Sequence, residues 1–247
     1  MKEFSESSFL SSLKGLKVVI VGPAPEPEYK SGFGEIIDSY DVVIRVNRGW
    51  RMSRESPDIF GSRTDILYHC WDPDPENGGV IDFPFLESSG CSLTVSPYPT
   101  FHSPSARDNM FHHDYRIRCK NWLLSHNTTV NFSEVGLDFY MKLDHDLQTR
   151  ANSGTAAFLH LLQSELAQLH IVGFSFFQKG YVSSYRKSIE GVIATDAQHS
   201  EALVMRRLSR HGQNHEMDKQ VNYCKPLLLG DKRVKPSTLL SGILNEQ

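Results

Sequence analysis

The stretch LKVVIVGPAPEPEYKSGFGEIIDSYDVVIRVNRG, Leu16 to Gly49, decides the fold. An apolar run over 18–21 breaks at Gly22 and enters a Pro/Glu-rich turn. Gly32-Phe33-Gly34 then leads to a second apolar run, 42–46, which ends in Arg45-Val46-Asn47. Neither run alternates cleanly between apolar and polar residues, as expected of strands covered on both faces. Similar short runs recur at 66–69, 92–96 and 170–174. Between the last two, Ala157, Leu161, Leu162, Leu166 and Leu169 fall at helical spacing and predict a helix over 154–169. A further helix over 201–211 stops at Gly212. Strands alternating with helices predict an α/β fold: a single-domain, Rossmann-like, mostly parallel sheet flanked by helices. The expected core runs from 16 to 212, with a C-terminal tail over 213–247. Pro-rich loops stand at Asp72-Pro-Asp-Pro and Ser96-Pro-Tyr-Pro, and no internal repeat is present.

The chain has 247 residues, 39% of them hydrophobic and 22% charged, which suits one globular domain with a sizeable core. A net charge of −3 offers no general field to draw it to nucleic acid or anionic membrane. The one basic cluster, Arg206, Arg207 and Arg210, reads as a solvated helix face. No apolar stretch approaches the roughly 20 residues of a membrane span. The N-terminal segment lacks the apolar core of a signal peptide. Cys70, Cys91, Cys119 and Cys224 lie far apart and form no CxxC pair. The expectation is a cytoplasmic chain with reduced thiols, in which the sequons at Asn127 and Asn131 mean nothing.

Ligands of parallel sheets sit beyond the carboxyl ends of the strands. Gly22 stands at one such end and Arg45 to Asn47 at another; they serve either a ligand or a tight turn and a strand cap. A dinucleotide fingerprint is excluded: G-x-G-x-x-G is missing, and Pro23 and Pro25 lack the N–H groups of a phosphate cradle. No Walker A sequence occurs. The second stretch is RANSGTAAFLHLLQSELAQLHIVGFSFF, Arg150 to Phe177. Asn152 or Ser153 can cap the helix, and Gly154 permits close approach. The free N–H groups of a helix start favour an anion, though an ordinary capped helix would look the same. Gly173-Phe174-Ser175 ends the last strand. Asp72-Pro-Asp74 imitates a DxD metal motif but reads as a structural turn.

Together these segments resemble the sialyl motifs of family 29 glycosyltransferases, the eukaryotic-type sialyltransferases. The strand ending in Val21-Gly22, Gly34 before Glu-Ile-Ile-Asp38, and Tyr40-Asp41-Val-Val-Ile-Arg45-Val-Asn47 resemble the large motif. Asn152-Ser153-Gly154, the helix and the strand ending in Gly173-Phe174 resemble the small one. Gly61-Ser-Arg-Thr-Asp65-Ile-Leu-Tyr68 looks like the segment that follows the large motif in shorter members. The resemblance implies a GT-A-like variant of the fold. It also implies a CMP site made by Gly22, Asn47, Asn152, Ser153, Gly154, Phe174 and Tyr181. Tyr181-Val-Ser-Ser-Tyr185 and His199 fall in the order of the family's short aromatic motif and its catalytic histidine. The implied reaction moves sialic acid, or Kdo, from a CMP donor to a glycan hydroxyl with inversion and no metal or other cofactor. The family's Asn after Val-Gly is Pro23 here, its later Glu is Val204, its short motif carries tyrosines for histidine, and the two cysteines of animal members are absent. The alternative is a degenerate CMP- or nucleotide-binding α/β protein without transferase activity; a nicotinamide-dependent oxidoreductase is disfavoured.

The chemistry needs an acceptor hydroxyl made nucleophilic, charge stabilised on the departing phosphate, and water kept out. His199 precedes a helix start that Ser200 can cap, and the positive helix end keeps an imidazole neutral enough to take a proton. Asp196 or Glu201 would oppose that. His211 and His215 are competitors for the role of base. Tyr185 is the first choice for donating to the leaving phosphate and Tyr181 the second. Arg45 either binds the donor carboxylate or pairs with Asp38 or Asp41, and His69 and Trp71 would line the acceptor side.

Overall fold

In the computed structural model, the structure describes residues 1–74, 77–100, 113–176, 178–185 and 216–245. Among these, seven parallel strands form one sheet in the order β5-β4-β3-β2-β1-β6-β7. They are β1 (Lys17–Val21), β2 (Val42–Val46), β3 (Ile66–Tyr68), β4 (Leu93–Ser96), β5 (Asn131–Glu134), β6 (Gln168–Val172) and β7 (Val234–Pro236). The expected α/β architecture, a parallel sheet flanked by helices, is present. The five strands read from the sequence all occur, and β5 and β7 extend the sheet at its two edges.

Both faces are buried, and side-chain alternation assigns each residue to one of them. Val18, Ile20, Ile44, Val46, Ile66, Tyr68, Leu169 and Ile171 belong to one apolar cluster. Its helices are α1 (Glu6–Ser12), α7 (Leu137–Leu147), α8 (Ser153–Leu161), α9 (Met217–Gly230) and α10 (Thr238–Asn245). On the opposite face Val19, Val21, Val43 and Val172 pack with α2 (Phe33–Asp38), α3 (Gly49–Glu55) and α4 (Pro57–Phe60). Leu67 and Phe132 pack there with α5 (Phe83–Ser88) and α6 (His113–Leu124).

The chain runs outward from β1 to β5 and returns to the other side of β1 as β6. Strand order therefore reverses between β1 and β6, where α/β sheets open a crevice at the carboxyl ends. The two exits are in backbone contact. Gly22 N donates to Val172 O at 2.7 Å and Ala24 N to Gly173 O at 2.9 Å. The Tyr29 hydroxyl donates to Gly22 O at 2.8 Å. A Cβ on Gly22 would fall on the carbonyl of Gly173 and 2.9 Å from the Phe174 ring.

Three expectations are corrected. The helix expected over 154–169 is α8, which ends at Leu161; Leu169 instead pairs with Val18 of β1 and donates its N–H to Arg233 O at 2.9 Å. Arg233 closes the helix end by donating to the carbonyls of Leu162 at 3.1 Å and Ser164 at 2.5 Å, and Asp231 holds its guanidinium at 2.6 Å. The strand expected over 170–174 starts and stops two residues earlier, because Gly173 turns the backbone with φ +76°. Residues 213–247, expected as a tail, supply α9, the edge strand β7 and α10. Phe9 of α1, also outside the expected core, is fully buried. The helix expected over 201–211 and its arginines lie outside the described residues. The four cysteines are buried and unpaired.

Gly22→Ala tests the contact between the two strand exits. It should cost about 3 kcal/mol, the upper range for overpacking, because backbone cannot give way as a side chain does. The melting temperature should fall by roughly 2–4 °C per kcal/mol. Gly180→Ala, where a Cβ meets nothing within 4 Å, should stay within about 0.5 kcal/mol in the same thermal melt.

Candidate functional site

A cleft opens at the strand-order reversal. Its walls are the turn after β1 (Pro23, Ala24), the end of β2 (Val46, Asn47), the start of α8 (Asn152 to Thr155) and the exit of β6 (Gly173 to Phe176). Cys70, Asn77, Tyr98, Arg150, Phe158, Tyr181 and Tyr185 complete the lining. The enclosed space is about 120 Å³, below the roughly 300 Å³ at which small-molecule sites begin, so a nucleotide-sized ligand would also occupy the open mouth.

The structure brings most of the sequence-predicted residues to this one place. Gly22 lies just behind the lining, under the Gly173 carbonyl. Phe174 is the wedge of the cleft. Its ring sits 2.5 Å from where a Cβ on Gly154 would be, and it packs edge-on against Phe158 at 5.8 Å. The ring thus leaves no room for a Cβ on Gly154, while Gly22 is hemmed in by the Gly173 carbonyl and the ring together. Asn47 leaves β2 in the left-handed region, φ +48°. Its N–H donates to Tyr68 O at 2.7 Å, and its Oδ1 accepts from Cys70 N at 3.3 Å. Among the described residues the side-chain amide nitrogen has no hydrogen-bond partner.

Asn152, not Ser153, caps α8. Its Oδ1 accepts from Thr155 N at 2.9 Å, and its Nδ2 donates to Gln220 of α9 at 2.8 Å. That side chain is committed to structure. Ser153 stands beside Tyr98, hydroxyl to hydroxyl at 3.3 Å. The first-turn amides of Ser153 and Gly154 have no intrahelical acceptor, as in every helix start, and they form the positive end of the α8 dipole. Tyr181 and Tyr185 lie side by side with ring centroids 5.0 Å apart. The turn Ser183–Tyr185 holds them, and Val182 N donates to Pro23 O at 2.8 Å. His199 and its neighbours Asp196, Glu201 and Val204, and the competitors His211 and His215, lie outside the described residues.

Three expected roles are overturned. Arg45 points to the α2/α4 face, fully buried, and donates to the carbonyls of Phe60 at 2.8 Å, Gly61 at 3.1 Å and Arg63 at 2.9 Å, and to Thr64 Oγ1 at 3.0 Å. It neither lines the cleft nor bonds to Asp38 or Asp41, and burial pulls its pKa down to about 10. His69 and Trp71 are also fully buried. His69 Nδ1 accepts from Trp71 N at 2.8 Å, and Trp71 Nε1 donates to Thr94 Oγ1 at 3.2 Å. They brace the β3 exit instead of lining an acceptor surface. Burial pushes the His69 pKa down to about 3, so the ring is neutral. Asp72 fastens its own turn, accepting from Asp74 N at 2.9 Å, Asn77 Nδ2 at 2.5 Å and the Tyr115 hydroxyl. Among the described residues no group of His, Cys, Asp and Glu could hold a metal ion.

Sequence reasoning passed over Arg150, Tyr98 and Asn77. Arg150 is the charged residue of the lining, placed two residues before the α8 cap. A basic residue just ahead of a helix start was the available signal. Nothing local marks Tyr98. It is positioned by its hydroxyl, which donates to Ala151 O at 3.1 Å, and by buried Arg116, which donates to Tyr98 O at 2.9 Å and Cys70 O at 2.7 Å. Chemically the cleft offers helix amides, a guanidinium and phenol hydroxyls for an anion, beside a floor of Val46, Phe158, Phe174 and Phe176 for an apolar or flat group.

No protein-family model and no curated protein matches the sequence. Solved structures do. A mammalian sialyltransferase in complex with Gal-beta-1-3GalNAc-ortho-nitrophenol aligns at TM-score 0.41 and 16% identity, over 73% of this chain and 66% of that one. The sialyltransferase CstII from Campylobacter jejuni, in complex with cytidine-5'-monophosphate, aligns at 0.43 and 11%, over 74% and 77%. The same enzyme with CMP-3FNeuAc aligns at 0.44 and 12%, over 81% and 78%. The chain thus spans just under two thirds of the mammalian chain it matches. At such scores and identities no residue role passes to this protein. No helix among the described residues is long and apolar enough to cross a membrane.

His69 and His170 predict the acid limit of stability. Burial pushes the pKa of His170 down to about 4, and that of His69 to about 3. Unfolded, both would titrate near 6.5 and bind the protons that the folded protein refuses. Stability is therefore intact above about pH 6.5 and falls as pH drops toward 4, by up to about 1.4 kcal/mol per unit per histidine. Urea unfolding from about pH 7 to about pH 5 should show this slope, and His170→Gln should roughly halve it.

Proposed function

We propose that the cleft binds the cytidine monophosphate of a CMP-linked ulosonic acid, sialic acid or Kdo, and that the protein transfers the sugar to a glycan hydroxyl with inversion. The observation that carries this reading is convergence. The two segments that resemble the large and small sialyl motifs of family 29 lie more than a hundred residues apart in sequence, and both line one cleft at the strand-order reversal. A cleft that joins helix amides and a guanidinium to aromatic walls suits a ligand with a phosphate and a flat base.

On this reading Asn47 and Ser153 hydrogen-bond the nucleotide, while Gly154 lets it approach the α8 amides. Asn152 acts through the cap and not by its side chain. Arg150 attracts the negative charge, which a charge-assisted bond stabilises by about 1.5–3 kcal/mol. Tyr185 and Tyr181 donate to phosphate oxygens as charge grows on the leaving group. His199 takes the acceptor proton as general base. The bond from the anomeric carbon to the CMP oxygen breaks as the acceptor oxygen attacks the opposite face, so the configuration inverts. The reading includes no resident metal. Binding without transfer is the second reading. Pro23, which lines the cleft where the family has Asn, favours it.

Calorimetry with CMP and an assay of CMP released from CMP-sialic acid or CMP-Kdo separate the two. Transfer predicts CMP release, including slow hydrolysis without acceptor, that resists EDTA. Asn47→Ala should weaken CMP binding by about tenfold, the loss of one ligand hydrogen bond of 1.4 kcal/mol. His199→Ala should leave CMP binding intact and slow turnover by about a hundredfold or more. CMP binding with no release from either donor would decide for the second reading. Absence of CMP binding would sink both.

A further inference from the structure

We propose that Glu26 is a positioning residue whose carboxylate, anchored at the start of α10, holds the cleft wall at Gly173 in place. The proposal rests on the nucleotide reading above and adds to it a residue that fixes the Gly173 wall.

Glu26 lies in the Pro/Glu-rich turn after β1 and is only 7% exposed. Its Oε1 accepts from Gly173 N at 2.7 Å and from the Ser237 hydroxyl at 2.5 Å, and its Oε2 accepts from Leu239 N at 3.2 Å. One carboxylate thus joins three segments: the β1 exit, the β6 exit and the α10 start. A buried carboxyl is retained only when such donors offset its desolvation, and burial does raise its pKa. The Gly173 amide is the point of leverage. This residue turns the backbone with φ +76°, and the next three, Phe174 to Phe176, line the cleft. Glu28, two residues on, accepts from Thr238 N at 2.9 Å and from its hydroxyl at 2.5 Å, and its carboxyl also interacts with that of Glu26. Thr238→Ala removes the hydroxyl bond to Glu28 and leaves the three bonds of Glu26 in place.

The test compares Glu26→Gln with Thr238→Ala in the full chain, by CMP calorimetry and by deuterium exchange over 173–176. Glutamine keeps the shape but replaces one carboxylate oxygen by an NH2 group, which then faces either Leu239 N or the pair of Gly173 N and the Ser237 hydroxyl. It should weaken CMP binding by about tenfold and speed exchange over 173–176. Thr238→Ala loosens α10 alone and should leave both readouts within about twofold. Unchanged CMP affinity in Glu26→Gln, or an equal loss in Thr238→Ala, overturns the proposal. Should the wild-type protein not bind CMP, the nucleotide reading fails, and exchange alone decides: equal protection over 173–176 in Glu26→Gln and wild type overturns the positioning role. Should Glu26→Gln fail to fold, Ser237→Ala removes one donor. It should give the same pattern in milder form, and no change at 173–176 would overturn the proposal.

Discussion

The ring of Phe174 holds the site together. It is wedged between Gly22 at the end of β1 and Gly154 at the start of α8, and its edge meets Phe158 one turn further along that helix. Burying such a ring contributes about 1.5–3 kcal/mol, but its geometric consequence matters more. Three segments distant in sequence must approach to ring thickness, and only glycine allows this on either side. The carbonyl of Gly173 then lies against Gly22. The β1, β6 and α8 walls of the cleft are thereby referred to one aromatic plane.

Close approach of backbones would leave polar groups stranded, so each is answered by a specific partner. At the β1 and β6 exits the partners are Tyr29 for Gly22 O, Ala24 for Gly173 O and Glu26 for Gly173 N. At the β3 and β4 exits buried Arg116 spans Cys70 O, the Ser96 hydroxyl and Tyr98 O. At the α8 start Gln220 takes Asn152 and donates to Arg150 O at 3.4 Å. Much of this support comes from the C-terminal elements α9 and α10. A rigid shell of this kind lets a shallow cleft present a few groups at fixed positions.

The central strands were legible because a parallel strand buried on both faces writes a continuous apolar run. Edge strands do not obey that rule. β5 is Asn131-Phe-Ser-Glu134 and β7 is Val234-Lys-Pro236, both too polar and too short to announce themselves, and Pro236 is tolerated because an edge lacks a second neighbour. The end of α8 was illegible for a different reason. Leu162, Leu166 and Leu169 keep helical spacing, but pairing with β1 and the Arg233 clamp outweigh a local preference. Of the site, the glycines and the helix cap stood out because they belong to compact motifs. Arg150, Tyr98 and Glu26 did not, since each owes its place to partners far away in the chain.

The same contrast explains why chemically suggestive residues turned out to be scaffolding. In Arg45-Val46-Asn47 successive side chains point to opposite faces until the strand ends. Arg45, two residues after Val43, shares its face, and its stem runs into the turn 60–64, where carbonyls and the Thr64 hydroxyl await it. Val46 takes the other face and reaches the cleft floor. Asn47 lies beyond the strand and escapes alternation by turning to positive φ, which brings it to the rim. Where the strand ends thus decides which of the three reaches the cleft rim, whatever the residue type. His69 and Trp71 follow the same logic on β3. His69 continues the face of Leu67 into the core, and Trp71, at φ +56°, folds back onto Thr94 instead of outward.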